Sequence, residues 1–369
     1  MISKLIDVVD LIAGYAFKSG DFGNYPDKVI KITQINPPIV DLKSATGINI
    51  QKYNRSKLEK YIAKKGDFVL AMTGATIGKL GRIEEGEAYI NQRVLMFKPK
   101  PNVDSDFVYY VLQSYEFSQY VLNHIDSESA QPNISANTIG NFEFELPDLI
   151  LQKKIGTLLR NLDEKAELNR RINDNLLQHA FTLFDNQFRD ITAGSCSISD
   201  YILPRRGRGL LSKDAVKGDV PVVAGGLEPA TYHNVANTTS PVLTISASGA
   251  NAGFIRLWNI PVWSSDSSFI DSSITDFVYF WFVLLKKRQD EIYGSQTGSA
   301  QPHIYPQNIG ALPICELDMT EIKQYNDLVT PLFMKIGANE SENVKLVNLR
   351  DTLLPKLMAG EIDLDSLNV

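Results

Sequence analysis

A chain of 369 residues is long for one domain and suits two or three. Its 44% hydrophobic and 22% charged residues are ordinary for folded protein. No apolar run nears the ~18 residues of a membrane span, and MISKLIDVVD carries acids where a signal peptide would hold its apolar core. Cys196 and Cys315 stand in no CxxC spacing, and His124, His179, His233 and His303 form no cluster. Neither a disulfide framework nor a metal site is expected, and the setting is expected to be cytoplasmic. The net charge of −6 argues against a strongly basic nucleic-acid binder. Residues 1–146 are nearly balanced, with 16 Lys+Arg and 17 Asp+Glu, and 190–315 hold 9 and 10, whereas 316–369 hold 5 and 10.

The first third reads as strands separated by turns: VIKITQI (29–35), DFVLAMTG (67–74) and INQRVLMFKP (90–99). FVYYVLQSYEFSQYVL (107–122) predicts an aromatic helix, followed by a polar loop over 127–135 and the strand-like FEFEL (142–146). From Pro147 and Asp148, the latter a suitable N-cap, apolar residues return at three- and four-residue steps through 151–188. That pattern predicts one long amphipathic helix with a coiled-coil-like stripe of Ile155, Leu158, Leu162, Leu176 and Leu183, interrupted by Lys165 and Asn169.

After Phe188 the pattern restarts, with strand-like DVPVVAGG (219–226), SPVLTISASG (240–249) and GFIRLWNIPVWS (253–264). A second aromatic helix (277–292) and a second long helix from about Asp318 follow. A shift of 170 residues gives 17 identities over the 60 positions 129–188, where unrelated segments would give about four. Ser129-Ala130-Gln131-Pro132 falls on Ser299-Ala300-Gln301-Pro302, and Lys165 and Asn169 fall on Lys335 and Asn339. The second stripe is then Leu328, Leu332, Lys335, Asn339, Leu346 and Leu353. A weaker echo at 175 sets Gly74 and Gly78 on Gly249 and Gly253. The expected fold is α+β: two β-rich domains separated by two long antiparallel coiled-coil-like helices, with an internal pseudo-two-fold repeat. The divisions fall at 1–146, 147–189, 190–316, 317–356 and an acidic tail, 357–369. Pro331 should kink the second helix.

Three fragments imitate catalytic motifs. Asn36-Pro37-Pro38-Ile39 resembles the NPP(F/Y) motif of N6-adenine methyltransferases, but Ile39 cannot stack on a flipped base. A self-contained adenine methyltransferase using Asn36 is kept as the enzyme alternative. Gly74-Ala75-Thr76-Ile77-Gly78-Lys79 is one residue short of a P-loop, with Leu80 where Ser or Thr belongs. Gly207-Arg208-Gly209 lacks the last glycine of a dinucleotide fingerprint. No catalytic constellation assembles, which suggests a binding scaffold. Groups suited to base edges and phosphates lie in the loops. In the first domain they are Lys79, Arg82, Asn91, Gln92 and Arg93; in the second they are Arg205, Arg206, Arg208, Tyr232, His233, Asn234, Asn251 and Arg256. Lys286-Lys287-Arg288 reads equally as a helix C-terminal cluster or a phosphate clamp.

These residues support a resemblance. LPDLILQKKIGTLLRNLDEKAELNRRINDNLLQHAFTLFDNQF (146–188), LVNLRDTLLPKLMAGEIDL (346–364), AMTGATIGKLGRI (71–83), INQRVLMF (90–97), TISASGANAGFIRLW (244–258), WSSDSSFI (263–270) and the two SAQP loops resemble the specificity subunits of type I restriction–modification systems. The second helix departs from the first where QKKI becomes IKQY (322–325). The resemblance implies two target-recognition domains, each binding half of a bipartite site in double-stranded DNA. It implies a helical spacer that sets the gap and docks two methyltransferase subunits, and restriction (translocase) subunits in the full complex. No catalytic centre and no cofactor are implied on this chain; S-adenosylmethionine, ATP and Mg²⁺ belong to the partner subunits. An orphan DNA-binding subunit that no longer assembles is the third reading.

Overall fold

The computed structural model describes residues 1–126, 132–298, 301–362 and 364, so Ser129, Ala130 and Gln131 of one SAQP loop and Ser299 and Ala300 of the other lie outside the described residues. The chain forms two units, Met1–Lys165 with Leu346–Val369, and Ala166–Lys345.

In the first unit the strand Val94–Pro99 lies between Val9–Ala13 and Phe68–Ala71, antiparallel to both. Leu80–Arg82, Ile39–Val40 and Ile35–Asn36 extend this sheet to six strands. Successive side chains of a strand point to opposite faces, and the cores follow that alternation. Leu95, Phe97, Phe68 and Leu70 enter a core shared with the helix Ser105–Val111 and with Ile155, Leu159, Leu354 and Leu357 of the long helices. Val94, Met96, Val69 and Ala71 face the other way, onto Ile30, Ala88 and Ile90. These last three belong to a four-stranded sheet in which Glu87–Ile90 runs parallel to Phe22–Ile30.

The second unit repeats the plan. Ser267–Asp271 lies between Arg205–Arg206 and Val242–Ser246, with Ile255–Trp258 outside. In a second sheet Val220–Val223 lies between Thr231–His233 and a parallel Trp263–Ser264. The helix Val278–Lys287 has residues 278–285 all buried, as a helix apolar on every side requires. In each unit a two-stranded ribbon ties beginning to end: Ile2–Lys4 with Glu143–Glu145, and Cys196–Ser197 with Pro313–Ile314.

The echo at 175 is a shared turn. Gly78 N donates to Ala71 O, and Ala71 N to Lys79 O; Gly253 N donates to Ser246 O, and Ser246 N to Phe254 O. Gly74, Gly78, Gly249 and Gly253 all have positive φ, which glycine adopts without a Cβ clash.

The first long helix is Leu149–Gln187, capped by Asp148 Oδ1 accepting from Leu151 N at 2.9 Å. The second, Met319–Met358, continues through Pro331 without a break in its helical assignment. Near Pro331 the Thr330 hydroxyl donates to Asn326 O at 2.6 Å. Within the second unit Asn169 meets Asn343 while Asn173 meets Asn339, so one helix rises as the other falls.

The expected stripe needs correction by one residue. Lys165 and Lys335 are exposed, and Leu328 is 53% exposed. Buried instead are Leu159, Ala166, Ala180 and Phe184 on the first helix and Val329, Phe333, Ile336 and Leu354 on the second. Ile155 and both asparagines, Asn169 and Asn339, are buried. Leu158, Leu162, Leu176, Leu183, Leu332, Leu346 and Leu353 are half-buried flanks. Adjacent apolar pairs such as Leu158-Leu159 and Leu328-Val329 let a heptad be drawn through either member. The packing takes the line through Leu159, Ala166, Ala180 and Phe184 on the first helix and Val329, Phe333, Ile336 and Leu354 on the second.

Candidate nucleic-acid interface

The candidate loop residues divide into free and engaged groups. In the first unit Lys79 is exposed at the end of the glycine turn, and Gln92 and Arg93 are exposed in the turn preceding Val94–Pro99. Asn91 is half-buried beside them, with its backbone bridged to Tyr15. Lys79 and Arg93 have no side-chain hydrogen bond or ion pair among the described residues.

Arg82 is a correction. It is 5% exposed, ion-paired to Asp106 and set 4.1 Å from the centroid of Tyr109. A strand position whose side chain turns toward the helix Ser105–Val111 cannot reach a base edge. Burial pushes the Tyr109 hydroxyl up to about 12, so the ring stays neutral beneath the cation and serves as its π-face.

In the second unit Arg205, Arg206, Arg208, Tyr232 and Asn234 are exposed and Asn251 is half-buried. Arg206 already pairs with Asp266 at 2.6 Å. Arg256 lies 4.0 Å over the Trp258 ring and donates to Leu227 O at 2.8 Å and to Glu228 at 3.2 Å. His233 is also a correction: it is buried, accepts from Val216 N at 2.9 Å and meets Trp263 edge-on. The basic cluster ending the aromatic helix is internal wiring. Lys286 bonds Ile255 O, Lys287 pairs with Asp185, and Arg288 forks onto Glu291 and Pro313 O.

The first unit also holds a cleft of about 250 Å³ lined by Ala13, Thr73, Gln92, Arg93, Asn133 and Ser135, among others. Gln92 and Arg93 were legible as candidates. Thr73, Asn133 and Ser135 were not, because no charge or motif marks them; the 175-residue echo through Thr73-Gly74 was the available signal. The decoy motifs resolve as turns. Asn36 pairs with Ile39 across a hairpin whose Pro38 O accepts from Arg82 N and the Tyr109 hydroxyl. The Gly74 to Lys79 stretch is the glycine turn described above. No helix among the described residues is long and apolar enough to cross a membrane.

Two β-rich units, each carrying loop-borne polar and cationic groups and each followed by one long helix, define a two-part scaffold that presents loops. Residues 1–178 match the family model of the type I restriction modification DNA specificity domain. That match covers just under half of the chain, and the methyltransferase alternative is not supported. It is 24% identical over 386 residues to the type I restriction enzyme MjaIX specificity subunit of Methanocaldococcus jannaschii, covering 89% of this chain and 86% of that one. It is 26% identical over 189 residues to the HindI specificity subunit of Haemophilus influenzae, covering 48% and 41%. Its fold is similar to the crystal structure of a type I restriction–modification S subunit from M. genitalium, with a TM-score of 0.59 at 18% identity over 97% and 96% of the two chains.

Proposed function

We propose that this chain reads both halves of a bipartite DNA site for a type I restriction–modification complex. Residues 1–146 read one half and 190–316 the other. The helices of 147–189 and 317–356 set the spacing and dock two methyltransferase subunits, and restriction (translocase) subunits complete the assembly. S-adenosylmethionine, ATP and Mg²⁺ are held by those partners, and the complex works in the cytoplasm. One observation carries the reading. The specificity-domain match ends at residue 178, yet the second unit repeats the first unit's glycine turn, sheet order and parallel strand pair. Two equivalent readers in one chain call for two half-sites. Because phosphate contacts supply most affinity and base contacts the specificity, a chain of net charge −6 needs partner subunits to help enclose the duplex.

The test is co-expression with a type I methyltransferase subunit, followed by methylome sequencing. A bipartite methylated motif that appears only with this chain is expected, and exchanging residues 1–146 for another recognition domain should change one half and spare the other. Methylation unaffected by the absence of this chain would overturn the reading.

A further inference from the structure

The cleft of the first unit has a filled counterpart in the second. The backbone sets the equivalence. Met72 N donates to Arg93 O, Ile134 N to Met72 O, Gly74 N to Pro132 O and Gly14 N to Val94 O. Ala247 N donates to Asp266 O, Ile304 N to Ala247 O, Gly249 N to Pro302 O and Gly207 N to Ser267 O. Thr73 therefore answers to Ser248, Arg93 to Asp266, Ala13 to Arg206 and Asn133 to His303.

In the second unit these positions satisfy one another. The Ser248 hydroxyl donates to the Asp266 carboxylate, and the Arg206 guanidinium donates to its other oxygen at 2.6 Å. A hydroxyl and a guanidinium thus share one oxyanion. In the first unit the carboxylate is replaced by Arg93 and the arginine by Ala13, and the cleft of about 250 Å³ opens beside them. Thr73 is 2% exposed, and its hydroxyl has no hydrogen-bond partner among the described residues. A buried polar group left in this way is destabilising until an acceptor reaches it. The Arg93 guanidinium has no counter-charge among the described residues. Both deficits are of one kind, a missing anionic acceptor.

We propose that this cleft is an oxyanion subsite, taking a phosphate group between the Arg93 guanidinium and the Thr73 hydroxyl, with Gln92, Asn133 and Ser135 on its rim. Resting on the DNA-reading function, the occupant is a backbone phosphate of the duplex; free orthophosphate is the other source of the same chemistry. The second unit, neutralised by its own Asp266, has no such subsite at the equivalent place. The two readers therefore differ in how they grip the backbone.

The test uses the full chain with its methyltransferase subunit and duplexes carrying the recognised site, with affinity measured against salt concentration. Arg93→Gln removes the cation. Ala13→Glu, at an exposed strand position, supplies an internal carboxylate and closes the cleft as Asp266 does. Both are expected to reduce the salt slope by about 0.9, the release of one phosphate contact. Both should weaken binding about tenfold, equally on the cognate duplex and on duplexes altered in either half-site. In parallel, the melting temperature of the free chain is compared in inorganic phosphate and in chloride at equal ionic strength. A slope change without a phosphate-induced rise assigns the subsite to the DNA backbone. A rise in the wild type that is lost in R93Q supports the oxyanion site with orthophosphate as an occupant. Unchanged slope and unchanged melting in both variants overturn the proposal, as does an effect of R93Q confined to one base pair, which would make Arg93 a base reader. A wild-type complex that binds no duplex refutes the DNA reading instead, and the phosphate melting arm then decides the cleft by itself.

Discussion

Asn339 Nδ2 donates to Asn173 Oδ1 at 2.7 Å, and Asn169 Nδ2 donates to Asn343 Oδ1 at 2.9 Å. Under the 170-residue repeat Asn169 becomes Asn339 and Asn343 becomes Asn173, so each contact is the symmetry mate of the other. That is the signature of an isologous interface, here within one chain. Asn169 also donates to Glu342 at 2.8 Å, whereas Asn339 Oδ1 is buried without a partner among the described residues, so the symmetry is imperfect in its hydrogen bonding. Polar residues in an apolar stripe fix register at a cost in stability.

Asn339→Ala leaves Asn173 Oδ1 without its donor, while Asn173 Nδ2 keeps Ile336 O, and should destabilise by about 1–3 kcal/mol. The double variant Asn173→Leu/Asn339→Leu replaces both partners and should be nearly neutral or stabilising. Urea unfolding midpoints of the three proteins at equal m-value decide the matter. A double variant as unstable as the single one would show that the pair does not act as a unit.

Arg350 and Asp163 form a different kind of clamp in the first unit. Arg350 Nη1 donates to one Asp163 oxygen at 2.8 Å while the Tyr110 hydroxyl donates to the other at 2.7 Å, and both charged side chains are mostly buried. By the repeat, Tyr110 and Asp163 answer to Phe280 and Phe333, which sit in the aromatic core of the second unit. One unit thus solves with charge what the other solves with rings. Arg350→Met leaves a mostly buried carboxylate with one partner and should be destabilising by about 2–3 kcal/mol, and Tyr110→Phe by about 1 kcal/mol. Thermal unfolding of the two variants should rank them in that order.

How much of this was legible follows from what each residue type reports. The repeat and both long helices were open to reading because identity and periodicity are one-dimensional signals. The face each helix buries was not, since Leu158 beside Leu159 satisfies either heptad and the choice depends on what packs opposite. Arg82 looked like a DNA contact for a similar reason: an arginine's sequence position does not reveal whether Asp106 and Tyr109 are waiting for it. The cleft was hidden because Thr73 and Ala13 are chemically quiet residues, and only the filled site in the other unit gives them meaning.

Arg82 and Lys79 should therefore separate stability from recognition. Arg82→Met leaves Asp106 without its buried partner and should lower the melting temperature by several degrees, as expected for a loss of about 2 kcal/mol. The methylated motif should keep its sequence. Lys79→Ala, at an exposed turn, should leave melting unchanged and weaken DNA binding at low salt more than at high salt. Measuring both variants by calorimetry and by methylome sequencing checks the assignment; an altered motif in Arg82→Met would contradict it.

Acid should find a specific weak point at Asp21. The Lys52 ammonium, bonded to Asp21 Oδ1, and the Tyr53 hydroxyl, bonded to Oδ2 at 2.7 Å, hold this carboxyl below the usual range. A carboxylate whose folded pKa is depressed contributes stability above its unfolded pKa and loses it as pH falls through the folded value. Stability of the wild type should fall below about pH 4. Asp21→Asn should be less stable at neutral pH and show a shallower fall, measured as denaturation midpoint against pH. Parallel curves would place the acid sensitivity elsewhere.

The spacing role of the helices gives the last prediction. Each long helix rises ~1.5 Å per residue, so removing seven residues shortens it by roughly 10 Å, the length of about three base pairs. Seven residues also preserve the heptad phase, so the buried stripe stays on one face. Deleting 166–172 together with the repeat-equivalent 336–342 removes Asn169 and Asn339, one member of each asparagine pair, and keeps the two helices matched in length. If the helices set the gap, the methylated motif should keep both half-sequences and lose about three base pairs between them. Deleting either segment by itself leaves the two helices unequal in length and out of register, and should abolish methylation. A double deletion that methylates the original motif at its original spacing would show that the gap is set by something other than helix length.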